Sequence, residues 1–321
     1  MVRQRSAKPL FAGSIPAVAS ILRLPAPPHF SFEHTVESHG WYVLAPFRWD
    51  RKKRILRRPE VVGGEVVDLE IRFRRGAIEV TAPHPALSPR RGEKVAEGRV
   101  KGALTRMLQL DVDTSEFIAL ASDSHAHRWV AEVRFGRLLC GSTLFEDVVK
   151  IIATTNTTWN QTKRMVSLLV EKCGRRSPGG FTAFPSPEDV ARFSVEELKE
   201  DCRLGYRAKS VYTLASGIAS GAMDLSAISD PSQTTEGLFA SYKTLPGIGP
   251  YGAAHLLAMD GRHDFIAVDT EFRRFVRETY HGGRRISDKA MLRRYARWGR
   301  WKYLAYWSEL WRSVAERLQP K

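Results

Sequence analysis

The segment KTLPGIGPYGAAHLLAMDGRHDFIAVDTEFRRF, Lys243 to Phe275, holds the residues whose types and spacing best suit chemistry. Gly247 and Gly249 flank Ile248, and Pro250 stands where the first turn of a helix would begin. Proline there loses no hydrogen bond, because the leading amides of a helix have no partner within it. Those amides, with the glycine amides of the turn, would point outward at the positive end of the helix dipole, an arrangement that binds phosphate. Ile248 would plug the gap between the two helices and keep the turn rigid. A turn with no ligand uses the same residues, so Gly-x-Gly alone is weak evidence. Further on, Asp269 follows the apolar run FIAV and precedes the helical run TEFRRFVRETY. Capping that helix would be worth about 1 kcal/mol. The helix dipole and the amides there favour an ionised carboxylate. Tyr251 and His255 lie one helical turn apart and therefore share a face.

These residues need helices to position them, and the chain supplies them. After Val100, segments such as LFEDVVKIIATTN, NQTKRMVSLLVEKCG, RAKSVYTLASGIASG and PYGAAHLLAMDG carry apolar residues at three- and four-residue spacing, with capping residues at their ends. Before it, FSFEHTVESHGWYVLAPFRWD, ILRRP, EVVDLEIRFRR and AIEVTA read as short strands separated by Gly-rich turns. PHPALSPRRGEKVAEGR has no apolar period and reads as a flexible loop. The expectation is an α+β protein: a disordered tail over 1–28, an antiparallel sheet domain over 29–115 with a flexible insertion near 83–99, and an all-helical domain over 116–321. The N-terminus imitates a weak signal peptide, but Gly13 and Pro16 break its apolar part, so a tail or a misassigned start is expected rather than export.

Composition narrows the partners. Of 321 residues, 43% are hydrophobic, enough for substantial cores, and 50 Lys plus Arg against 35 Asp plus Glu give a net charge of +15. Such a balance favours a polyanion, nucleic acid above all. Cys140, Cys173 and Cys202 have no metal-ligand spacing and suit a reduced compartment, so a cytoplasmic protein, nucleoid-associated if bacterial, with no metal or other cofactor is expected. No apolar run reaches the roughly 18 residues of a membrane span.

The combination LPGIGPYGAAHLLAM and IAVDTEFRRF resembles the helix-hairpin-helix, Gly/Pro-loop and aspartate signature of the HhH-GPD DNA glycosylase superfamily. The likeness extends through LFEDVVKIIATTNTTWNQTKRMVSLLVEKCG and LGYRAKSV, and FSFEHTVESHGW with PFRW looks like the N-terminal domain of its 8-oxoguanine and 3-methyladenine branches. The resemblance implies excision of a damaged base, oxidised or alkylated, flipped out of double-stranded DNA by a monomer. Asp269 would stabilise the sugar cation formed as the N-glycosidic bond breaks. Gly247, Ile248 and Gly249 would bind the DNA backbone. Asn156 takes the place of a wedge residue, and Tyr206 and Arg207 that of residues contacting the unpaired partner base. A second arginine expected after the wedge is Gln161, which weakens any claim of an opposite cytosine. No cysteine follows Cys202, so the iron–sulfur cluster of the endonuclease III branch is excluded.

Superfamily members that also cut the backbone place a lysine where this chain has Tyr251, whose phenol cannot form a Schiff base. A monofunctional glycosylase is expected. Two alternatives stand beside it: a glycosylase with lyase activity through another amine such as Lys243 or Lys209, and a non-catalytic DNA-binding module. Tyr251 and His255 could stack on and hydrogen-bond the flipped base. The aromatic RRYARWGRWKYLAYWSELWRSVAERL reads mainly as helical core and outer pocket wall. The wedge and LGYRA segments suggest oxidised guanine, Tyr251 and the aromatic tail suggest alkylated purine, and the sequence does not choose between them.

Overall fold

The computed structural model describes residues 20–82 and 93–318. Strands β1 (Ser20–Pro25), β2 (Arg48–Asp50), β3 (Ile55–Val62), β4 (Glu65–Arg74) and β5 (Ala77–Ala82) form one antiparallel sheet in the order β1-β5-β4-β3-β2. Two-residue turns set its register. Gly63 and Gly64 have φ of +62° and +90°, and Arg75 and Gly76 have +49° and +73°. Positive φ at both central positions is the geometry whose twist matches antiparallel strands. Leu56 thereby faces Ile71, and Ile71 faces Val80, all buried on one side.

Helices α1 (Phe32–Val36), α2 (Glu93–Met107), α3 (Ser115–Ser122), α4 (Arg128–Val133), α5 (Leu144–Thr154), α6 (Trp159–Cys173), α7 (Pro187–Ala191) and α8 (Val195–Glu200) come first. Then follow α9 (Arg207–Ala219), α10 (Leu225–Ile228), α11 (Thr235–Tyr242), α12 (Pro250–Met259), α13 (Thr270–His281), α14 (Asp288–Arg293) and α15 (Lys302–Leu318). No helix among the described residues is long and apolar enough to cross a membrane.

The α+β class holds, but three local expectations are corrected. Ser20–Pro25, placed in the disordered tail, forms β1 because its backbone pairs with Ala77–Ala82. The aromatic FSFEHTVESHGWYV is helical: it holds α1 and a 3-10 turn over Gly40–Val43, since Phe32, Val36 and Trp41 bury together, as a helical face rather than an alternating strand does. Of the insertion near 83–99, residues 83–92 lie outside the described residues, and from Glu93 the chain is already in α2. The tail expected over residues 1–19 also lies outside them.

Packing divides the molecule differently from the chain order. The sheet shares one core with α2, α5, α6, α9, α11 and α12, while α3, α4, α13, α14 and α15 close a second, ring-rich core around Phe117, Phe272, Tyr295 and Tyr306. Buried ionic groups lock the sheet to α5. Arg58 of β3 meets Glu146 at 3.0 Å, and Lys150 meets the same carboxylate at 2.6 Å. One helical turn separates these two residues of α5, so a single guanidinium fixes its orientation against the sheet.

Candidate active site

The seam between the two cores holds a cavity of about 490 Å³ where α12 and the start of α13 meet the segment before α5. Asp269, Tyr251 and His255 all line it, so residues expected on separate elements converge. Asp269 is the N-cap of α13 and accepts the Phe272 amide at 2.7 Å. Among the described residues it makes no ion pair. Burial pushes its pKa up, against the downward pull of the capping amides. The expected preference for the ionised form is therefore corrected: desolvation outweighs the amides, which makes this carboxylate a better proton acceptor than a solvated one.

Tyr251 and His255 point the same way from α12. The His255 Nε2 and the Tyr251 hydroxyl are 3.0 Å apart, and the His255 Nδ1 lies 3.3 Å from the Tyr303 hydroxyl. Burial holds His255 neutral, its pKa lowered to about 4, and raises Tyr251 to about 12, with the Asp269 charge adding to that rise. Neither group is a base or a cation at neutral pH.

The rest of the wall was not legible as a site in the sequence. His39, Trp41 and Trp159 belong to it, whereas Trp307 comes from the aromatic tail expected to form the outer wall. The Trp41 indole N–H donates to Asp147 at 2.8 Å, and the Trp307 indole N–H donates to the Ser38 carbonyl at 2.8 Å. These bonds bring residues 38–41 from the N-terminal part of the chain against α5 and α15. Trp159, the first residue of α6, lies so close to Gly40 that a Cβ there would sit 2.3 Å from its ring. Only glycine admits that approach. The motif SHGW carried the signal, a glycine beside two ring residues, but no periodicity marks it. Of the aromatic tail, Trp298, Trp301, Tyr303 and Tyr306 are buried in the second core, and Tyr303 and Trp307 also face the cavity.

Beside this cavity, α11 and α12 form the hairpin. Gly247 has φ of +78°, and a Cβ on it would meet Ser210 at 2.8 Å. Ile248 is buried, as expected of a plug. Gly249 is the N-cap of α12; among the described residues no side chain caps that helix, and a Cβ at Gly249 would meet nothing within 4 Å. The leading amides therefore lie at an open surface.

A second concavity, about 430 Å³, is lined by Asn156, Gln161, Arg164, Arg203, Tyr206 and Arg207 among others. Asn156 adopts φ of +46° and its side-chain amide donates to the Tyr206 hydroxyl at 3.4 Å. Tyr206 is 66% exposed. Arg207, in contrast, is buried, donating to the carbonyls of Thr155 and, at 3.3 Å, of Asn156. Its guanidinium holds the turn that presents Asn156. Gln161 forms a capping box with Thr158 at the start of α6. Arg164 and Arg203, both exposed, are the cations that face outward here, and sequence reasoning missed them.

Residues 149–300 match the family described as HhH-GPD superfamily base excision DNA repair protein. No curated protein matches the chain. The fold is shared with several solved structures. The 3-methyladenine DNA-glycosylase from Archaeoglobus fulgidus is 19% identical, with a TM-score of 0.71 over 92% of this chain and 99% of its own. The structure of MBOgg1 in complex with low affinity DNA ligand is 18% identical, with a TM-score of 0.69 over 92% and 96%. The Clostridium acetobutylicum 8-oxoguanine glycosylase/lyase, in complex with dsDNA containing cytosine opposite 8-oxoG, is 17% identical, with a TM-score of 0.64 over 88% and 93%.

Proposed function

We propose that this chain, whose residues 149–300 match the HhH-GPD superfamily of base excision repair proteins, is a monofunctional DNA glycosylase. It hydrolyses the N-glycosidic bond of a damaged base flipped from duplex DNA. One observation carries the reading: the carboxylate of Asp269, free of any ion pair among the described residues, opens on a ring-lined cavity beside an uncapped glycine turn.

In this reading the hairpin amides of Gly249 and its neighbours bind a backbone phosphate and set the register of the strand. The damaged nucleotide turns out of the stack into the cavity, and Asn156 with Tyr206 fills the gap left behind. As the bond from C1′ to the base nitrogen breaks, its electron pair leaves with the base and positive charge spreads over the sugar ring. Asp269 stabilises that charge. A water then attacks C1′ and passes a proton to the Asp269 carboxylate, which releases it to solvent; a base that left as an anion takes a proton from solvent, so the products are an abasic site and the free base. A positively charged surface supplies salt-dependent affinity for undamaged duplex during search.

The hydrolytic outcome follows from the lining. No lysine lines the cavity among the described residues, and Tyr251, protonated up to about pH 12, offers no amine. Borohydride reduction during reaction with a lesion duplex is the test. Release of the base with no trapped covalent complex is expected, and a trapped complex would overturn the monofunctional assignment.

A further inference from the structure

Away from the cavity, the charge of the chain is unevenly placed. Residues 271–302 hold eleven Lys plus Arg against three Asp plus Glu, a net +8 of the chain's +15. All three carboxylates are already taken: Asp288 by Arg273 at 2.9 Å, and Glu271 and Glu278 by Arg274. Arg284, Arg285, Lys289, Arg293 and Arg297 are exposed, and none of the five forms an ion pair among the described residues.

Local structure gathers these cations. The left-handed C-cap Gly282 ends α13, and the turn that follows carries Arg284 and Arg285 at the surface. Ser287 then caps α14, where Lys289 and Arg293 stand one helical turn, about 6 Å, apart. Arg297 continues the row from the 3-10 turn over Ala296–Trp301. Met291, Tyr295 and Trp298, interleaved with them, are buried in the ring-rich core. The core therefore anchors this stretch from within, and the side turned to solvent is a row of cations.

A duplex backbone has the complementary form, a line of phosphates with one charge per about 1.7 Å of helix axis. Arginine suits it, since its fork of N–H donors meets phosphate oxygens two at a time. Asp269 opens on the cavity at the N-terminal end of α13, and the hairpin lies beside that cavity. The cationic row begins past the C-terminal end of the same helix, twelve residues or about 18 Å further along its axis. A duplex seated on the hairpin covers the first end and leaves the second open.

We propose that this face is a second site for double-stranded DNA, and that it takes a segment other than the one at the hairpin, so that the chain passes from duplex to duplex without an unbound intermediate. The inference goes beyond base release and rests on the proposed function only for the hold of the hairpin on the first duplex. Cations that grip phosphates read no base, so any undamaged sequence serves.

The test uses the full chain bound to a short fluorescein-labelled duplex and follows dissociation on mixing with rising concentrations of the same duplex unlabelled. The observed rate should climb with that concentration, because the incoming segment binds before the first one leaves. In the triple variant Lys289→Gln, Arg293→Gln, Arg297→Gln the rate should not depend on it. All three positions are exposed, so the variant should melt with the wild type. Its affinity for the first duplex should stay within about threefold, since charges separated by more than a Debye length of about 8 Å are screened. Sedimentation should find two short duplexes on the wild-type chain and one on the variant. A wild-type rate that ignores unlabelled duplex, or a variant that still carries two duplexes, would overturn the proposal. So would a first-duplex salt slope shallower by about 2.7 in the variant, the loss of three phosphate contacts, since the face would then touch the duplex at the hairpin. Two duplexes per chain with no base released from any lesion would support this site and overturn the glycosylase reading instead.

Discussion

The carboxylate of Asp269 accepts the backbone N–H of Phe272 at 2.7 Å, which ties a charge-bearing group to the first turn of α13 while its flank opens on the cavity. The cap and the proposed catalysis are therefore separable by one substitution. Asn caps a helix about as well as Asp. Asp269→Asn should slow base release by about 10²-fold or more, the scale of losing one preorganised electrostatic contact. Affinity for lesion duplex should stay within about threefold. Because burial raises the Asp269 pKa in the folded state, its charge is a cost above that pKa. The variant should accordingly melt at the same or a higher temperature at neutral pH. Single-turnover abasic-site formation beside a melting curve checks both, and a parent-like rate would remove Asp269 from the mechanism.

The two hairpin glycines should respond differently. At Gly247 a side chain is both strained, with φ of +78°, and obstructed by Ser210 at 2.8 Å, so Gly247→Ala should cost about 1–2 kcal/mol of stability. At Gly249 the backbone is extended and a Cβ meets nothing. Serine there is a better cap than glycine, so Gly249→Ser should hold or raise the melting temperature. Its hydroxyl would, however, take an amide proposed to hold phosphate. Duplex affinity at fixed salt should fall several-fold in the more stable protein.

How much of this arrangement could be read in the sequence depended on chain distance. Asp269, Tyr251 and His255 lie within one motif whose helical spacing and capping chemistry are local, so both their elements and their convergence were legible. His39 and Trp41 reach the same cavity only because Asp147, Leu139 and α15 grip residues 38–41 from far along the chain. No local pattern encodes that grip. The same holds for β1, which becomes a strand through pairing with β5; its own alternation, buried Leu22 and Leu24 about exposed Arg23, is too short to mark it. Aromatic content misled the reading of α1, since Phe and Trp suit strands by propensity while burial of one helical face decided otherwise.

Arg207 supports Asn156 through its backbone carbonyl, at 3.3 Å, and through that of Thr155, instead of facing outward. Arg207→Ala should therefore act through Asn156. It leaves two carbonyls without their donor and frees a turn held at positive φ. Arg207→Ala and Asn156→Ala should each lower kcat/KM on lesion duplex, by about tenfold, and the double variant should lose little more than either alone, as coupled neighbours do. Arg203→Ala, removing an exposed cation, should weaken binding to every duplex alike and reduce its salt dependence. Additive losses in the first pair would place Arg207 in direct contact with DNA.

Acid should unfold the protein through imidazoles that it keeps neutral. Burial lowers His39 and His263 to about 3 and His255 to about 4, from an ordinary value of 6.5. In the folded state these pKa values are depressed, so their contribution is intact above 6.5 and is lost as pH falls toward 4, because the unfolded chain takes up protons that the folded chain refuses. Each imidazole contributes at most about 1.4 kcal/mol per pH unit in that window. Asp260, raised to about 6, opposes one of them by taking up a proton while folded. His263 isolates the effect: both ring nitrogens are buried without a partner among the described residues, and the ring stacks near Trp301 and Tyr303, centroids 5.6 and 6.0 Å away. His263→Phe keeps the ring contacts and removes the titration. Urea unfolding at pH 7 and at pH 5 should show the wild type losing more stability between them than the variant, by about 1–2 kcal/mol. An unchanged difference would mean that His263 is not held neutral in the folded protein.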